Sequence, residues 1–343
     1  MNILAVESSC DETAVAIVKD GREVLCDCIA SQVDLHRIYG GVVPEIASRK
    51  HIEAIYGLAD QALEKTGLKR GDIDAVAVTY APGLIGALLV GVNYAKGLSY
   101  AKNKPLIPVH HLRSHIAANY ITHPDLKPPF FCLVVSGGNT MMVEVKDYTD
   151  FNVIGRTRDD AAGEAFDKCG KLLGLGYPAG ATIGKLAVGK NRKFHHFPRA
   201  LKGKADAEFS FSGLKTAVLR YVESHSTEYI QENLGDICAS LEESIVDILV
   251  SKTVWALKKT GMKTLVVGGG VSANMRLREL LEKYCLPRGI RLCFPERSLS
   301  TDNGAMIAGV AYHFLMRGDR SDWNTVTCAR IPQFKRGLQR GKK

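Results

Sequence analysis

The sequence predicts an α/β protein made of two similar lobes facing each other across a nucleotide cleft. Three observations carry that expectation. The chain has 343 residues, too long for one typical domain. Two stretches, LAVESSCDETAVAIV (residues 4–18) and LVVSGGNTMMVEV (133–145), both read strand, small polar turn, strand, and each opens a βββ-α-β-α-β series. Turns rich in Gly, Ser and Thr follow buried strands at SSCDET (8–13), SGGNT (136–140) and GGGVSAN (268–274). Such turns let backbone N–H groups converge with no side chain in the way, as phosphate binding requires. One alone is a weak signal. Two at matching places in a duplicated pattern, with a third opening a helix, read as a nucleotide site. The expected division is an N-terminal lobe over 1–128, a C-terminal lobe over 129–325 whose last helix can pack back on the first, and a basic tail over 326–343.

The elements follow in order. NILAVESS, ETAVAIVKD and REVLCDCIASQ are strands, with Asp20-Gly21 marking a hairpin turn. A helix runs from about Pro44, suited to a first turn, to Thr66. DAVAVTYAPG is a buried strand, GLIGALLVGVNYAKGLSYAKN an apolar helix, and KPLIPVHHL a fifth strand, with a helix from about Leu112. The second series starts at PPFFCLVVSGGNTMMVEVKD and continues with FNVIGRTRDD. Helices are expected from about Gly163 to Leu173 and from about Gly213 to Gly261. KTLVVGGGVSAN and IRLCFPER are strands on either side of a helix, MRLRELLEKYC, and DNGAMIAGVAYHFLMR is the last helix. Asn274 reads as a helix N-cap, as a ligand to ribose or base, or as both. No Walker P-loop is present.

Composition narrows the class. Hydrophobic residues are 46% and charged residues 24%, as in an ordinary globular protein. The longest apolar run, GLIGALLVGV, falls short of a bilayer span and is broken by glycines. No signal-peptide pattern opens the sequence, so a cytoplasmic location is expected, without a membrane. Nine cysteines without a C-x-x-C read as reduced thiols, with Cys26 and Cys28 on one strand face. The formal charge of +9 favours an anionic partner such as nucleic acid. GKNRKFHHFPRALKGK (189–204) mixes basic residues with Phe194 and Phe197, so it reads either as an RNA-stacking face or as a solvated surface. The tail ARIPQFKRGLQRGKK reads as solvated surface.

In PLIPVHHLRSHIAANY (105–120), His111 and His115 lie one helical turn apart. They form half of a metal site, or they are unrelated. A zincin is excluded, because H-E-x-x-H needs Glu after the first His and Leu112 stands there.

The motifs ESSCDETAVAIV, TYAPGLIGALLVGV, AKGLSYAKNKPLIPVHHLRSH, VSGGNT, GEAFDKCGKLLGLGYPAG, FSFSGLKTAV, GGGVSANMRLR and STDNGAMIA together resemble the tRNA N6-adenosine threonylcarbamoyltransferase family, bacterial TsaD branch, formerly labelled O-sialoglycoprotein endopeptidase. The resemblance covers nearly the whole chain. It implies an actin-like, sugar-kinase-like ATPase fold of two duplicated RNase H-like lobes. It implies transfer of a threonylcarbamoyl group from threonylcarbamoyl-AMP to the exocyclic amine of the adenosine 3′ of the anticodon, in tRNAs reading ANN codons, with release of AMP. It assigns His111, His115 and Asp302 to a divalent metal, and Val134, Val135, Ser136, Gly137, Gly138, Asp167, Gly180 and Asn274 to the adenylate. Two imidazoles and a carboxylate with open positions suit Fe(II), and Zn²⁺ or Mn²⁺ also fits. The implied partners are tRNA, a degenerate paralogue (TsaB) and a small ATPase (TsaE). Some positions depart from the commoner pattern: Arg113, Ser114, Asn139, Ala179, Ala181 and Gly184, the last removing a carboxylate.

Acyl-type transfer needs a proton acceptor for the attacking amine. Asp11, Glu12 and Glu7 are the candidates, the first two on a turn facing the cleft and the third ending a buried strand. Lys168 and Lys171 beside Asp167 read as phosphate neutralisers or as helix-surface cations. Two alternatives remain at this point: a small-molecule kinase of the actin-like or acetate–sugar kinase class, and a non-enzymatic nucleotide-binding module.

Overall fold

The first lobe opens with three strands, of which the first two are buried along nearly their whole length. In the computed structural model, which describes residues 1–203, 206–321 and 323–330, these are β1 (Asn2–Glu7), β2 (Glu12–Lys19) and β3 (Glu23–Ser31). A short helix α1 (Val33–Arg37) and the long α2 (Pro44–Thr66) follow, then β4 (Ala75–Ala81), α3 (Ile85–Lys102), β5 (Leu106–His110) and α4 (His111–Thr122). β1 pairs antiparallel with β2 and parallel with β4, and the sheet order is β3-β2-β1-β4-β5. Asp20 and Gly21 both have positive φ (52° and 68°), as the tight hairpin turn requires. A Cβ on Gly21 would stand 2.6 Å from the Cβ of Tyr312, so glycine serves close packing there as well. α2 begins with Pro44 and ends at Gly67 in the left-handed region.

The second series repeats the plan. It contains β6 (Phe130–Val135), β7 (Thr140–Asp147), β8 (Asp150–Arg156), α5 (Ala162–Leu172), α6 (Gly180–Leu186), α7 (Ser212–Glu223), α8 (Thr227–Glu232), α9 (Leu234–Thr260), β9 (Thr264–Gly268), α10 (Met275–Cys285) and β10 (Arg291–Cys293). Its sheet order is β10-β9-β6-β7-β8. With β6 in the place of β1, this is the order of the first sheet, so the duplication read from two short stretches extends through five strands.

The chain divides into two compact units. One comprises Met1–Pro128, Lys146–Phe151 and the chain from Pro295; the other comprises Pro129–Val145 and Asn152–Phe294. The segment after Phe294, assigned from sequence to the second lobe up to residue 325, belongs to the first unit because its helix α11 (Gly304–Met316), nearly all apolar, packs on β1, β2 and α4. Of the expected tail, residues 331–343 lie outside the described residues.

Three local expectations change. The helix expected over 213–261 is three helices: Ser226 caps α8 by accepting from the N–H of Tyr229, and α9 starts anew after Asn233. The helix after β5 starts at His111 rather than Leu112. α1 and α6 have no counterpart in the sequence reading; both are too short for a period to show.

Candidate active site

β5 ends at His110 and α4 starts at once, so His111 and His115 occupy its first two turns, both buried. Their ring centroids are 4.7 Å apart. Asp302 precedes the N-cap of α11, and its Oδ1 lies 3.5 Å from His111 Nε2 and 3.4 Å from His115 Nε2. One ligand atom from each of the three residues falls within 4.8 Å of the others. Thus two positions four apart meet a third from the far end of the chain.

Glu7, wholly buried at the end of β1, stands behind this group. Its Oε2 is 3.1 Å from His111 Nδ1 and accepts from Thr79 Oγ1 at 2.5 Å, while Oε1 accepts from the Ser9 N–H at 2.6 Å. Burial raises a carboxyl pKa, but His111 and these donors outweigh it and hold Glu7 down at about 2. For His111, burial opposes charge, but Asp302 and Glu7 push it up to about 9. His115 goes the other way: burial and the charge of His111 push it down to about 3. Neither ring nitrogen of His115 has a hydrogen-bond partner. A buried neutral imidazole with no partner, aimed at a carboxylate and a second imidazole, fits a metal ligand. Glu7 on the far nitrogen of His111 completes the carboxylate–imidazole pair that orients metal-binding histidines.

Carboxylate crowding supports the same reading. Burial, then Asp11 and Asp302, push Glu12 up to about 9. Burial also lifts Asp302 to about 6, with His111 opposing and Glu7 and Asp11 adding. A divalent cation relieves that repulsion. The turn carrying Asp11 and Glu12 is pinned from α2 and α1: His51 donates to the Cys10 carbonyl (2.9 Å) and accepts from Thr13 Oγ1 (2.7 Å), and the Gln32 N–H donates to the Asp11 carbonyl (3.0 Å). Arg113, one of the departures, is buried with its guanidinium 4.8 Å from the Phe151 ring and 5.4 Å from that of Phe314, and Ser114 donates to the His111 carbonyl. Arg113 thus packs against aromatic rings, and Ser114 bonds back within the first turn of α4.

In the second unit, Val134 and Val135 end β6, fully buried, and the turn 136–139 closes with the Ser136 N–H donating to the Asn139 carbonyl. Gly137 and Gly138 are exposed, with open space where a Cβ would point. The start of α5 presses on this turn: a Cβ on Gly163 would stand 2.6 Å from the Ser136 carbonyl oxygen and 2.7 Å from Gly137 Cα. A Cβ on Gly269, at φ 94°, would stand 2.3 Å from the Val135 carbonyl oxygen. The turn, the start of α5 and the β9 turn thus meet, as anion binding by backbone donors requires. Asp167 accepts from the Ala179 N–H at 2.8 Å, just before Gly180 opens α6. Asn274 caps α10 through Oδ1, accepting from the Leu277 N–H, and its Nδ2 donates to Glu242 Oε1 at 2.7 Å. A Cβ on Gly184 would lie 3.4 Å from that same Glu242 oxygen. The buried carboxylate that serves this corner therefore comes from α9.

Lys168 is bound to Asp160 (2.7 Å) and Glu164 (2.8 Å), which favours the surface reading over phosphate neutralisation. Asp159 braces FSFSGLKTAV, accepting from the N–H groups of Phe211 and Ser212 at the start of α7. The basic run 189–204, of which Lys204 is outside the described residues, is a strap on α9. Arg192 pairs with Glu242 (2.6 Å), and Arg199 and Lys202 pair with Asp247 (2.6 and 2.5 Å). Phe197 is fully buried, and Phe194 packs on the core. The two aromatics that suggested RNA stacking are anchors of the strap.

With this geometry in hand, likenesses become informative. The family model "tRNA N6-adenosine threonylcarbamoyltransferase" (TsaD) matches residues 23–309. The chain belongs to the TsaD family. A relative so named from Clostridium botulinum (strain 657 / Type Ba4) is 50% identical over 337 residues, 98% of each chain. One from Clostridium perfringens (strain SM101 / Type A) is 52% identical over 319 residues, 93% of this chain and 94% of the relative. Among solved structures, T. kodakarensis HypF has TM-score 0.63 at 14% identity, over 92% of this chain and 48% of its own. Component A of the Acidaminococcus fermentans (R)-2-hydroxyglutaryl-CoA dehydratase has TM-score 0.54 at 16% identity, over 91% and 98%. These two speak to the fold alone, the actin-like ATPase architecture that the resemblance implied. The TsaD relatives do not favour the small-molecule kinase alternative.

Three residues in these two clusters were not singled out from sequence: Ser9 and Thr79 in the first unit and Glu242 in the second. Thr79 follows Val78, which pairs with Val6 in the parallel β1–β4 ladder, so it stands beside Glu7 only once that register exists.

Proposed function

We propose that this TsaD-family transferase moves a threonylcarbamoyl group from threonylcarbamoyl-AMP to the exocyclic amine of the adenosine 3′ of the anticodon, in tRNAs reading ANN codons. The observation that carries the chemistry is the convergence of His111 Nε2, His115 Nε2 and Asp302 Oδ1. Those three residues would hold one divalent ion, Fe(II) in our reading, with Zn²⁺ as the alternative. Bound there, the ion supplies Lewis acidity toward a phosphate or carbonyl oxygen.

The chain's own groups do the rest. Gly137 and Gly138, exposed on the turn that Val134, Val135 and Ser136 set in place, would receive the adenylate's phosphate with backbone donors, with Asp167, Gly180 and Asn274 holding the nucleoside. The amine nitrogen attacks the carbamoyl carbon, the bond from that carbon to the phosphate oxygen breaks, and AMP leaves with the electron pair. The amine's proton passes to a carboxylate. Burial, with Asp11 and Asp302 beside it, raises Glu12, so Asp11 and Glu12 together form the carboxylate pair to which we assign that proton. Glu7, wholly enclosed by His111, Ser9 and Thr79, orients His111 rather than taking that proton.

Among the described residues no helix is long and apolar enough to cross a membrane. In our reading the chain works in the cytoplasm, where its tRNA is, with a TsaB-type paralogue and a TsaE-type ATPase. The test is mass analysis of nucleosides from tRNA incubated with the chain, both partners and threonylcarbamoyl-AMP. Threonylcarbamoyladenosine should form, should vanish on chelation and should return with Fe(II) or Zn²⁺. Phosphoryl transfer from ATP to a small molecule, with no modified nucleoside, would overturn the reading.

A further inference from the structure

Asp27 is a half-buried carboxylate that the chemistry above does not use. It lies in β3, paired with Ala16 of β2. Its Oδ1 accepts from the Gly304 N–H at 3.2 Å and its Oδ2 from the Ala305 N–H at 3.3 Å. A Cβ on Gly304 would stand 2.7 Å from the Ala16 backbone nitrogen, so only glycine lets α11 approach the sheet closely enough for these bonds. Two independent observations, the paired hydrogen bonds and the glycine contact, thus seat the start of α11 on the Ala16–Asp27 rung. Asn303 completes the arrangement: its Oδ1 accepts from the Met306 N–H, and its Nδ2 donates to the carbonyls of Thr301 (2.7 Å) and Leu299 (3.3 Å). Asp302 is the residue between these fastenings. Burial pushes Asp27 up to about 6, with the two N–H groups opposing, so the protein keeps a carboxylate here at some electrostatic cost.

We infer that Asp27 is a positioning residue that fixes where the Asp302 carboxylate stands relative to His111 and His115. The inference rests on the metal-site reading proposed above. A capping role alone would stabilise α11 and leave the ligand set indifferent. A positioning role couples the two, because the cap and the ligand are separated only by Asn303.

The test uses the full chain, stripped of metal, with Mn²⁺ as the calorimetric probe and amide hydrogen exchange as a second readout. Asp27→Ala should weaken Mn²⁺ by about tenfold or more, the range for outer-shell partners of metal ligands. Asp27→Asn keeps one acceptor, so it should recover part of the loss; it also serves if the alanine variant does not fold. In an Asp302→Asn background the Asp27 substitution should change residual Mn²⁺ binding by less than twofold, since its route is then gone. Exchange at the amides of residues 301–306 should speed up. Folded Asp27 variants that bind Mn²⁺ within twofold of wild type would overturn the inference, as would an equal loss in the Asp302→Asn background. If wild type itself binds no Mn²⁺, the metal-site reading falls instead. Exchange then decides for Asp27: faster exchange around Asp302 supports the positioning role, and unchanged exchange sinks it.

Discussion

Replacing Glu7 by Gln removes one charge and almost no volume, and the geometry says what must follow. Glu7 Oε1 accepts from the Ser9 N–H, and Oε2 accepts from Thr79 and faces His111 Nδ1. A glutamine can keep its oxygen toward Ser9 only by placing its NH₂ against Thr79 and His111. The threonine hydroxyl can turn to accept. The imidazole can accept only by carrying its proton on Nε2, the nitrogen that faces Asp302 and His115. The opposite orientation sets two N–H donors against each other in a fully buried place, at about 1–3 kcal/mol of stability. The first orientation puts the proton on the His111 nitrogen a metal needs; the second keeps that nitrogen free but strains the Glu7 position that orients the ring. Outer-shell partners of this kind are worth about 10–100-fold in metal affinity, or about 1.4–2.7 kcal/mol. Titration calorimetry of metal-free Glu7→Gln with Mn²⁺ measures this directly, and ¹⁵N NMR of the imidazoles reports the tautomer. A folded variant binding Mn²⁺ within twofold of wild type, with His111 still protonated on Nδ1, would refute the reasoning.

Other outcomes follow from the same geometry. His111, held at about 9 by Asp302 and Glu7, must give up a proton to a metal at pH 7, so Mn²⁺ affinity should rise with pH up to about 9; calorimetry in buffers of different ionisation heat should count the proton released. Gly163→Ala pushes a methyl group into the Ser136 carbonyl and Gly137, so it should cost about 1–3 kcal/mol in thermal unfolding and weaken AMP binding together. Half-buried His313, stacked on Tyr148 at 3.8 Å, is pushed down to about 4 by desolvation and then by Arg22. The unfolded chain binds that proton at about 6.5 and the folded chain only near 4, so stability should fall as pH drops through that window, and His313→Phe should flatten the fall in an acid titration of Tm. Gly184→Asp sets a second carboxylate beside Glu242 and should lower Tm, while adding Glu242→Gln should recover the loss.

What could be read in advance depended on whether the cause was local. Pro44 and Gly67 bound α2 because each acts through its own φ, and Asp20-Gly21 marks its turn for the same reason. The histidine spacing was legible because four residues make one helical turn. The break of the 213–261 segment was hidden: apolar residues such as Tyr221, Ile230 and Ile237 keep the core covered across it, while Ser226 interrupts the backbone. The partners of the site were hidden for a different reason. Thr79 reaches Glu7 through strand register, Asp27 reaches α11 through a sheet rung, and Glu242 reaches Asn274 from another helix. Charge in the 189–204 run was visible, but its pairing with Glu242 and Asp247 was not, because those acids lie 45 residues or more further along the chain.

The route of the backbone has a consequence for how the enzyme is made. A ribosome finishes both histidines and the first five strands long before it reaches Asp302, and it must complete the whole of the second unit in between. Until α11 emerges, β1 and β2 lack the apolar cover they have in the finished molecule. A nascent chain stalled before residue 302 therefore has the two imidazoles without Asp302, and the three-residue cluster comes together only at the end of synthesis.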